Sequence, residues 1–273
     1  MPSVRNYSIA FLTASSLTPP QAVAAAAQLG YSHVGLRLWP SVVGGEFQNL
    51  IGDPQMMRET IAALKDTGVG VRDLEVVRIA TGFDANSCRP LIEAGAALGA
   101  RAVLVTGEDP DAQRLAQSYG RLCELALPLG LTVDLEFLPW TAVRDANGAL
   151  AVLAAAGRPT NAGVLVDALH MARSSSTLAD IAALPRECLH YAQICDGPGS
   201  GSFTQAEIIH TARFERLLPG EGSIDLRGLF GALPADLPLS IEIPHHIRMP
   251  RLGAVEWARQ ALAASRALLE PAA

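Results

Sequence analysis

Lysine is almost missing from this chain. Of its 21 basic residues, only Lys65 is a lysine; the rest are arginines. Schiff-base catalysis needs a lysine amine in the site. Lys65 lies in an amphipathic helical stretch, MMRETIAALKDTG, on a face expected to meet solvent, so that chemistry is disfavoured. Charge is also sparse, 18% against 49% hydrophobic residues, with a net value of −6. This balance fits a globular chain. It offers neither the basic stripe of a nucleic-acid binder nor attraction to an anionic membrane surface. No apolar run approaches the ~18 residues of a membrane span. The start, MPSVRNYSIAF, lacks the basic-then-apolar pattern of a signal peptide, and a cytoplasmic protein is expected. The four cysteines (Cys88, Cys123, Cys188 and Cys195) form neither a CxxC pair nor zinc-site spacing. They read as reduced thiols. No GxGxxG follows the first strand, so no nucleotide cofactor is expected.

What is present is a regular alternation. Apolar or β-branched runs fall at 7–12, 33–38, 69–76, 101–106, 131–137, 162–167, 189–195 and 239–244. Helical patterns with apolar residues at i, i+3 and i+4 lie between them. Gly30, Gly99 and Gly130 each stand just past a helical pattern, where a left-handed C-cap is needed. Thr18-Pro19-Pro20 marks a helix start. Eight such units over about 250 residues predict one (β/α)8 TIM barrel spanning 1–273; a doubly wound open sheet is the other arrangement the pattern allows. The longest stretch read as irregular is 196–223, and long loops in compact domains tend to be functional.

Barrel chemistry sits at the C-terminal ends of the strands. There the fifth strand carries Glu136, the sixth Asp167, the seventh Gln193 and the eighth Glu242. Any one acid could cap a helix or pair with an arginine. Three carboxylates converging on one mouth would repel unless a cation neutralised them or their pKa values rose. With no lysine on the strands, a divalent metal is the economical cation. Oxygen donors, including a glutamine amide, suit Mg²⁺ or Mn²⁺.

The motifs LEFLPW, VDALHM, AQICDGP, RLLPGEG and IEIP, in this order, resemble the xylose isomerase-like TIM-barrel superfamily. More narrowly they resemble the sugar phosphate isomerase/epimerase group, which includes ketose 3-epimerases, inosose dehydratases and 3-dehydroshikimate dehydratases. The resemblance implies that Glu136, Asp167, Gln193 and Glu242 hold a divalent cation, Mn²⁺, Mg²⁺ or Co²⁺. It implies that Glu136 and Glu242 double as the acid/base pair, that His170 contacts substrate oxygens, and that Arg216 binds a substrate hydroxyl or carboxylate. Epimerases commonly have histidine where this chain has Gln193; glutamine there, with Leu-Pro-Trp after Glu136, looks more like the dehydroshikimate dehydratase branch.

The expected activity is therefore a metal-dependent isomerase or epimerase of a small sugar or polyol, acting by proton abstraction beside a carbonyl. The alternative is a dehydratase in which His170, with a pKa near neutrality, protonates the departing hydroxyl. A non-catalytic barrel is disfavoured because all four ligand positions are filled. An abasic-DNA endonuclease is disfavoured by the acidic balance and by only six histidines. Arg37, Glu75 and Trp140 are further candidates to line the mouth and contact a polyol or cyclitol. Arg78 could also line the mouth, as could Trp39, whose plain reading is loop packing, and His245 and His246, whose plain reading is a surface pair on a loop. Arg213 reads as a solvated cation, and His33 and His190 as structural groups on the opposite face. Asp134, two residues before Glu136, is expected to orient inner polar groups. The family's habits make a homo-oligomer an expectation too.

Overall fold

The computed structural model describes residues 5–270 except Val43 and Ser200. The termini, included in the single domain expected from the sequence, lie outside the described residues. Eight strands run Tyr7–Ile9 (β1), His33–Leu36 (β2), Gly70–Ile79 (β3), Ala102–Gly107 (β4), Thr132–Glu136 (β5), Ala162–Asp167 (β6), Ala192–Ile194 (β7) and Leu239–Ile241 (β8). Each pairs in parallel with its neighbours, and β8 closes on β1. Helices intervene between successive strands, giving a closed (β/α)8 barrel.

The local reasons are those the sequence carries. Gly30, Gly99 and Gly130 take positive φ values of 84°, 70° and 75°, a region that L side chains avoid. Asp53, Asp111, Asp145 and Asp225 cap helix starts by accepting backbone amides of the first turn, which satisfies donors that would otherwise be orphaned.

The apolar residues divide into two unequal groups. The larger lies between strands and helices and includes Ile9, Leu74, Val103, Val133, Val164, Ile194 and Ile241, with Trp257 and Tyr119 from the helices. The smaller, inside the barrel, is Ala102, Leu104, Leu165 and Tyr191, with Val76 against it. Other inward positions are polar: Ser8 lies opposite Ser240, Ser240 opposite Gln193, and Gln193 opposite Asp167. All four are buried. Opposed residues of paired strands share a face, so these four form an arc of polar side chains directed inward.

The second, seventh and eighth strands are shorter than their apolar runs, and three other boundaries change. The third strand extends to Ile79, with a register shift against β4 between Leu74 and Val77. Arg78 therefore lies within β3 together with Glu75, not after it. The first strand stops at Ile9, and Phe11–Thr13 form a 3-10 turn. The stretch 196–223 is not a continuous loop: Gln205–Phe214 is a helix started by Thr204, whose backbone N–H donates to Glu207 at 2.7 Å. Its mean hydropathy is close to neutral and its apolar stripe is weak, which hid it from periodicity.

Candidate active site

At the C-terminal mouth a cleft of about 670 Å³ opens. Glu136, Glu242, His170, Arg216, Arg37, Glu75 and Trp140 all line it. Asp167 and Gln193 lie just beneath, both fully buried. Every site residue proposed from the sequence thus falls at one end of one barrel. Gly35 on β2 makes room on the opposite wall: a Cβ there would collide with the Asp73 carboxylate and crowd that of Glu75.

Glu136 and Asp167 end adjacent strands, and His170 lies in the first turn of the helix Ala168–Arg173. Asp167 caps that helix, accepting the His170 amide at 3.0 Å. The D-x-x-H spacing is therefore a helix start that puts both side chains at one point. Imidazole Nε2 of His170 is 3.6 Å from Glu136 and 3.8 Å from Asp167. These three residues offer donor atoms within 4.8 Å of one another, a grouping that could hold a metal ion. Neither amide atom of Gln193 has a hydrogen-bond partner although the side chain is fully buried. A buried amide without partners is costly. Gln193 stands beside Asp167 in the pairing of β6 with β7, and an unpaired buried oxygen next to that carboxylate suits a cation site, so these residues fit a divalent ion.

Glu242 is engaged differently. The Arg216 guanidinium stands between it and Asp167, with Nη2 at 2.8 Å from Glu242 and Nη1 at 2.6 Å from Asp167. Arg216 is 2% exposed. This arginine lies outside every strand yet supplies one positive charge to the cluster, a cation that the scarcity of lysine does not exclude. Nε of Arg216 donates to Ala212 O at 2.9 Å. Its Nη2 lies 3.3 Å from His170 Nε2; a guanidinium can only donate, so Nε2 accepts and the ring proton sits on Nδ1.

Burial sets the protonation pattern. It pushes Glu136 well above the usual carboxylate range, reinforced by Glu242 and Asp167. Burial lifts Glu242 to about 7 although Arg216 opposes it. Glu75 also rises to about 7 by burial, against the pull of Arg37. Burial would raise Asp167 as well, but Arg216 and His170 hold it below its ordinary value. His170 is driven down to about 4 by burial, below the near-neutral value expected from the sequence. At pH 7 its ring is neutral in this arrangement and offers a lone pair.

The remaining candidates sort by contact. Arg37 pairs with Glu75 at 3.2 Å and lies 4.5 Å over the Phe11 ring. Trp140 meets His170 edge-on with centroids 5.2 Å apart. Trp39 donates to Val76 O at 3.2 Å, a packing role. His245 stacks edge-on against Trp257 and is not part of the cleft wall. Arg213 is on the helix, lines the cleft and has no ion pair among the described residues. Asp134 binds His190 at 2.7 Å, at the strand-start side, and Thr132 at 2.6 Å. Glu108 and Thr106 are among the wall residues that the sequence did not single out. Glu108, just past β4, grips Arg78 through two 2.6 Å bonds, and Thr106 donates to it at 3.1 Å. The signal available was Thr-Gly-Glu at the fourth strand's end, the same position that singled out the polar residues on strands five to eight.

The model of the family described as xylose isomerase-like TIM barrel matches residues 23–268. The chain belongs to that family. Among curated proteins, it is 29% identical over 132 residues to a 3-dehydroshikimate dehydratase of Pseudomonas aeruginosa, covering 47% of this chain and 20% of that protein. The match thus spans only about a fifth of the relative's length. Among solved structures, the IolI protein with a bound zinc atom aligns with a TM-score of 0.80 at 16% identity, over 97% of this chain and 98% of the other. The probable 3-dehydroshikimate dehydratase AsbF of Bacillus anthracis gives 0.74 at 17%, over 96% and 99%. The D-allulose 3-epimerase of a Methylomonas species in complex with D-allulose gives 0.70 at 18%, over 97% and 98%. At these identities the solved structures speak for the fold alone. Among the described residues no helix is long and apolar enough to cross a membrane.

Proposed function

We propose that this protein is a divalent-metal-dependent isomerase or epimerase of a small sugar or sugar-like polyol, working by proton transfer at a carbon beside a carbonyl. The observation carrying this reading is a pair of buried carboxyl groups, Glu136 and Glu242, both shifted upward and both lining one cleft. A carboxylate tuned toward neutrality is suited to removing a proton and to returning one. Glu136, Asp167, Gln193 and Glu242 would hold the cation, with His170 beside them as a further donor. When bound, that ion (Mn²⁺, Mg²⁺ or Co²⁺) supplies Lewis-acid stabilisation of the charge left by proton loss.

The chain's own groups do the rest. One of the two glutamates takes the proton at the carbon; the other, on a different strand, returns one. Neutral His170, with its proton on Nδ1, accepts from or donates to a substrate hydroxyl. Trp140 presents an apolar edge to the ring of a polyol or cyclitol. Arg37 and Glu75 provide a donor and an acceptor for outlying hydroxyls.

A second reading, a dehydratase of the 3-dehydroshikimate or inosose type, is favoured by the sequence relative and by Arg213, a cation at the cleft wall with no ion pair among the described residues and suited to a substrate carboxylate. Both readings begin with the same proton abstraction. Incubation with Mn²⁺ separates them. Solvent deuterium entering a ketose beside its carbonyl, with epimer formation, supports the first. Protocatechuate absorbance growing from 3-dehydroshikimate supports the second and sinks the first. Turnover that survives EDTA contradicts both.

A further inference from the structure

We propose that Asp196 is a positioning residue for the site: its carboxylate folds the segment 217–224 around itself and so fixes where the Arg216 guanidinium stands. The inference deepens the reading above and rests on it for its catalytic consequence only.

Asp196 follows β7 by two residues and is 1% exposed. Its Oδ1 accepts the amides of Gly197 at 2.8 Å and Ile224 at 3.2 Å. Its Oδ2 accepts those of Gly220 and Gly222, each at 3.0 Å. No lysine or arginine pairs with it among the described residues. A buried carboxylate balanced only by amide dipoles is an expensive device, yet four converging N–H groups select it. An asparagine would turn an NH₂ group, itself a donor, toward two of them. The glycines answer to the same demand. Gly220 has a φ of 92°, and a Cβ on Gly222 would collide with Asp196 Oδ1 and Gly197 O.

The segment so held begins directly after Arg216. Asp196 and Leu217 exchange two backbone hydrogen bonds of 2.9 Å, and the Arg216 amide donates to Pro244 O at 3.1 Å. The arginine is thus rooted at its backbone to β7 on one side and to the end of β8 on the other. Its head then reaches Asp167 and Glu242 at the distances given above. A free loop at 217–224 would leave the first root without a fixed partner. The guanidinium would no longer be held between the carboxylates of Asp167 and Glu242, which come from two different strand ends. The Asp-Gly-Pro and Pro-Gly-Glu-Gly motifs are therefore two halves of one device.

A purely structural role predicts lost stability and nothing else. The test uses the full chain as the native protein, Asp196→Asn, Arg216→Met and the double variant, with Gly222→Ala as an independent disturbance of the same loop. In EDTA, the ¹⁵N resonance of His170 Nε2 reports on the arginine 3.3 Å away. Expected is a displacement in Asp196→Asn and Gly222→Ala in the direction seen for Arg216→Met, with no additional displacement in the double variant. With Mn²⁺ alone, the dissociation constant read from free-ion EPR is expected to shift at least threefold in Asp196→Asn in the Arg216→Met direction, and less than 1.5-fold once Arg216 is gone. A lowered melting temperature with the His170 resonance unmoved overturns the proposal, as do equal effects of Asp196→Asn with and without Arg216. Absence of Mn²⁺ binding in the native protein overturns the metal reading instead, and the resonance then decides on Asp196 by itself.

Discussion

At the scale of single residues, the site is a problem in charge balance. Glu136, Asp167 and Glu242 are held in a fully buried cluster with one guanidinium, so at least one carboxyl must carry a proton or meet another cation. Glu136→Gln keeps the shape but removes a basic oxygen and a cation ligand together. Turnover should fall by about 10²–10⁴-fold, the usual range for an acid/base group, with weaker Mn²⁺ binding; a rate within a few-fold of native would remove Glu136 from the chemistry. Asp167→Asn should be as severe for a different reason, since it strips the partner of Arg216 as well as a ligand. What the sequence revealed at this scale was identity by position. Strand-end acids could be read because apolar runs locate strand ends. The pairing of Arg216 could not, because it depends on where a 20-residue connection returns. The fall of the His170 pKa was equally hidden, because burial is a property of the assembled mouth.

At the scale of elements, the strands were legible because a parallel strand covered on both faces reads as an apolar run, and helix ends because Gly30, Gly99 and Gly130 mark them. The end of β3 was not. Arg78 is polar, so the run appears to stop at Val76, whereas Arg78 lines the mouth from within the strand, as Glu75 does. The helix Gln205–Phe214 was missed because it covers the cleft and carries little apolar surface to bury. One element-level prediction follows from Gly35, the gap in β2 that admits the Asp73 and Glu75 side chains. Gly35→Ala should destabilise the fold by about 1–3 kcal/mol, the range for overpacking a filled space, measured by urea denaturation in EDTA. It should also disturb the Arg37–Glu75 pair and so raise KM more than it lowers kcat. A neutral effect on both would mean that the wall yields without resistance.

At the scale of the whole molecule, buried acids make stability depend on pH and on metal. Asp73, Glu75 and Glu242 each rise to about 7, chiefly through burial. The folded state binds these protons more tightly than the unfolded one. The stabilisation is fully present below the unfolded carboxylate pKa and is lost as pH rises through the folded value. His190 acts in the same sense. Burial alone would lower it, but Asp134 holds it above 6.5, so its contribution also fades as pH rises through its folded pKa. His33 and His170, both driven down to about 4 chiefly by burial, act in the opposite sense below about pH 6.5. The melting temperature in EDTA should therefore fall most clearly between about pH 6.5 and about pH 8, and Glu75→Gln should flatten the slope. A flat or rising native curve would contradict the protonation pattern. Mn²⁺ should restore stability at the alkaline end, by about 2.7 kcal/mol at a hundredfold excess over its dissociation constant. Leu165→Ala, in the small inner cluster, should remove about 2–5 kcal/mol at any pH.

That inner cluster has a consequence for how such a protein can change. Four apolar side chains fill the barrel's centre, while the large outer layer between strands and helices carries most of the buried hydrocarbon. The two jobs of folding and reacting are consequently written on opposite faces of the same eight strands. Apart from Gly35 and the inner apolar cluster, a substitution on the inward face alters the wall of the cleft and leaves the outer packing in place. New chemistries can then be tried one inward residue at a time on an undisturbed shell. Libraries restricted to alternate strand positions should yield far more folded variants than libraries of equal size aimed at the positions between them.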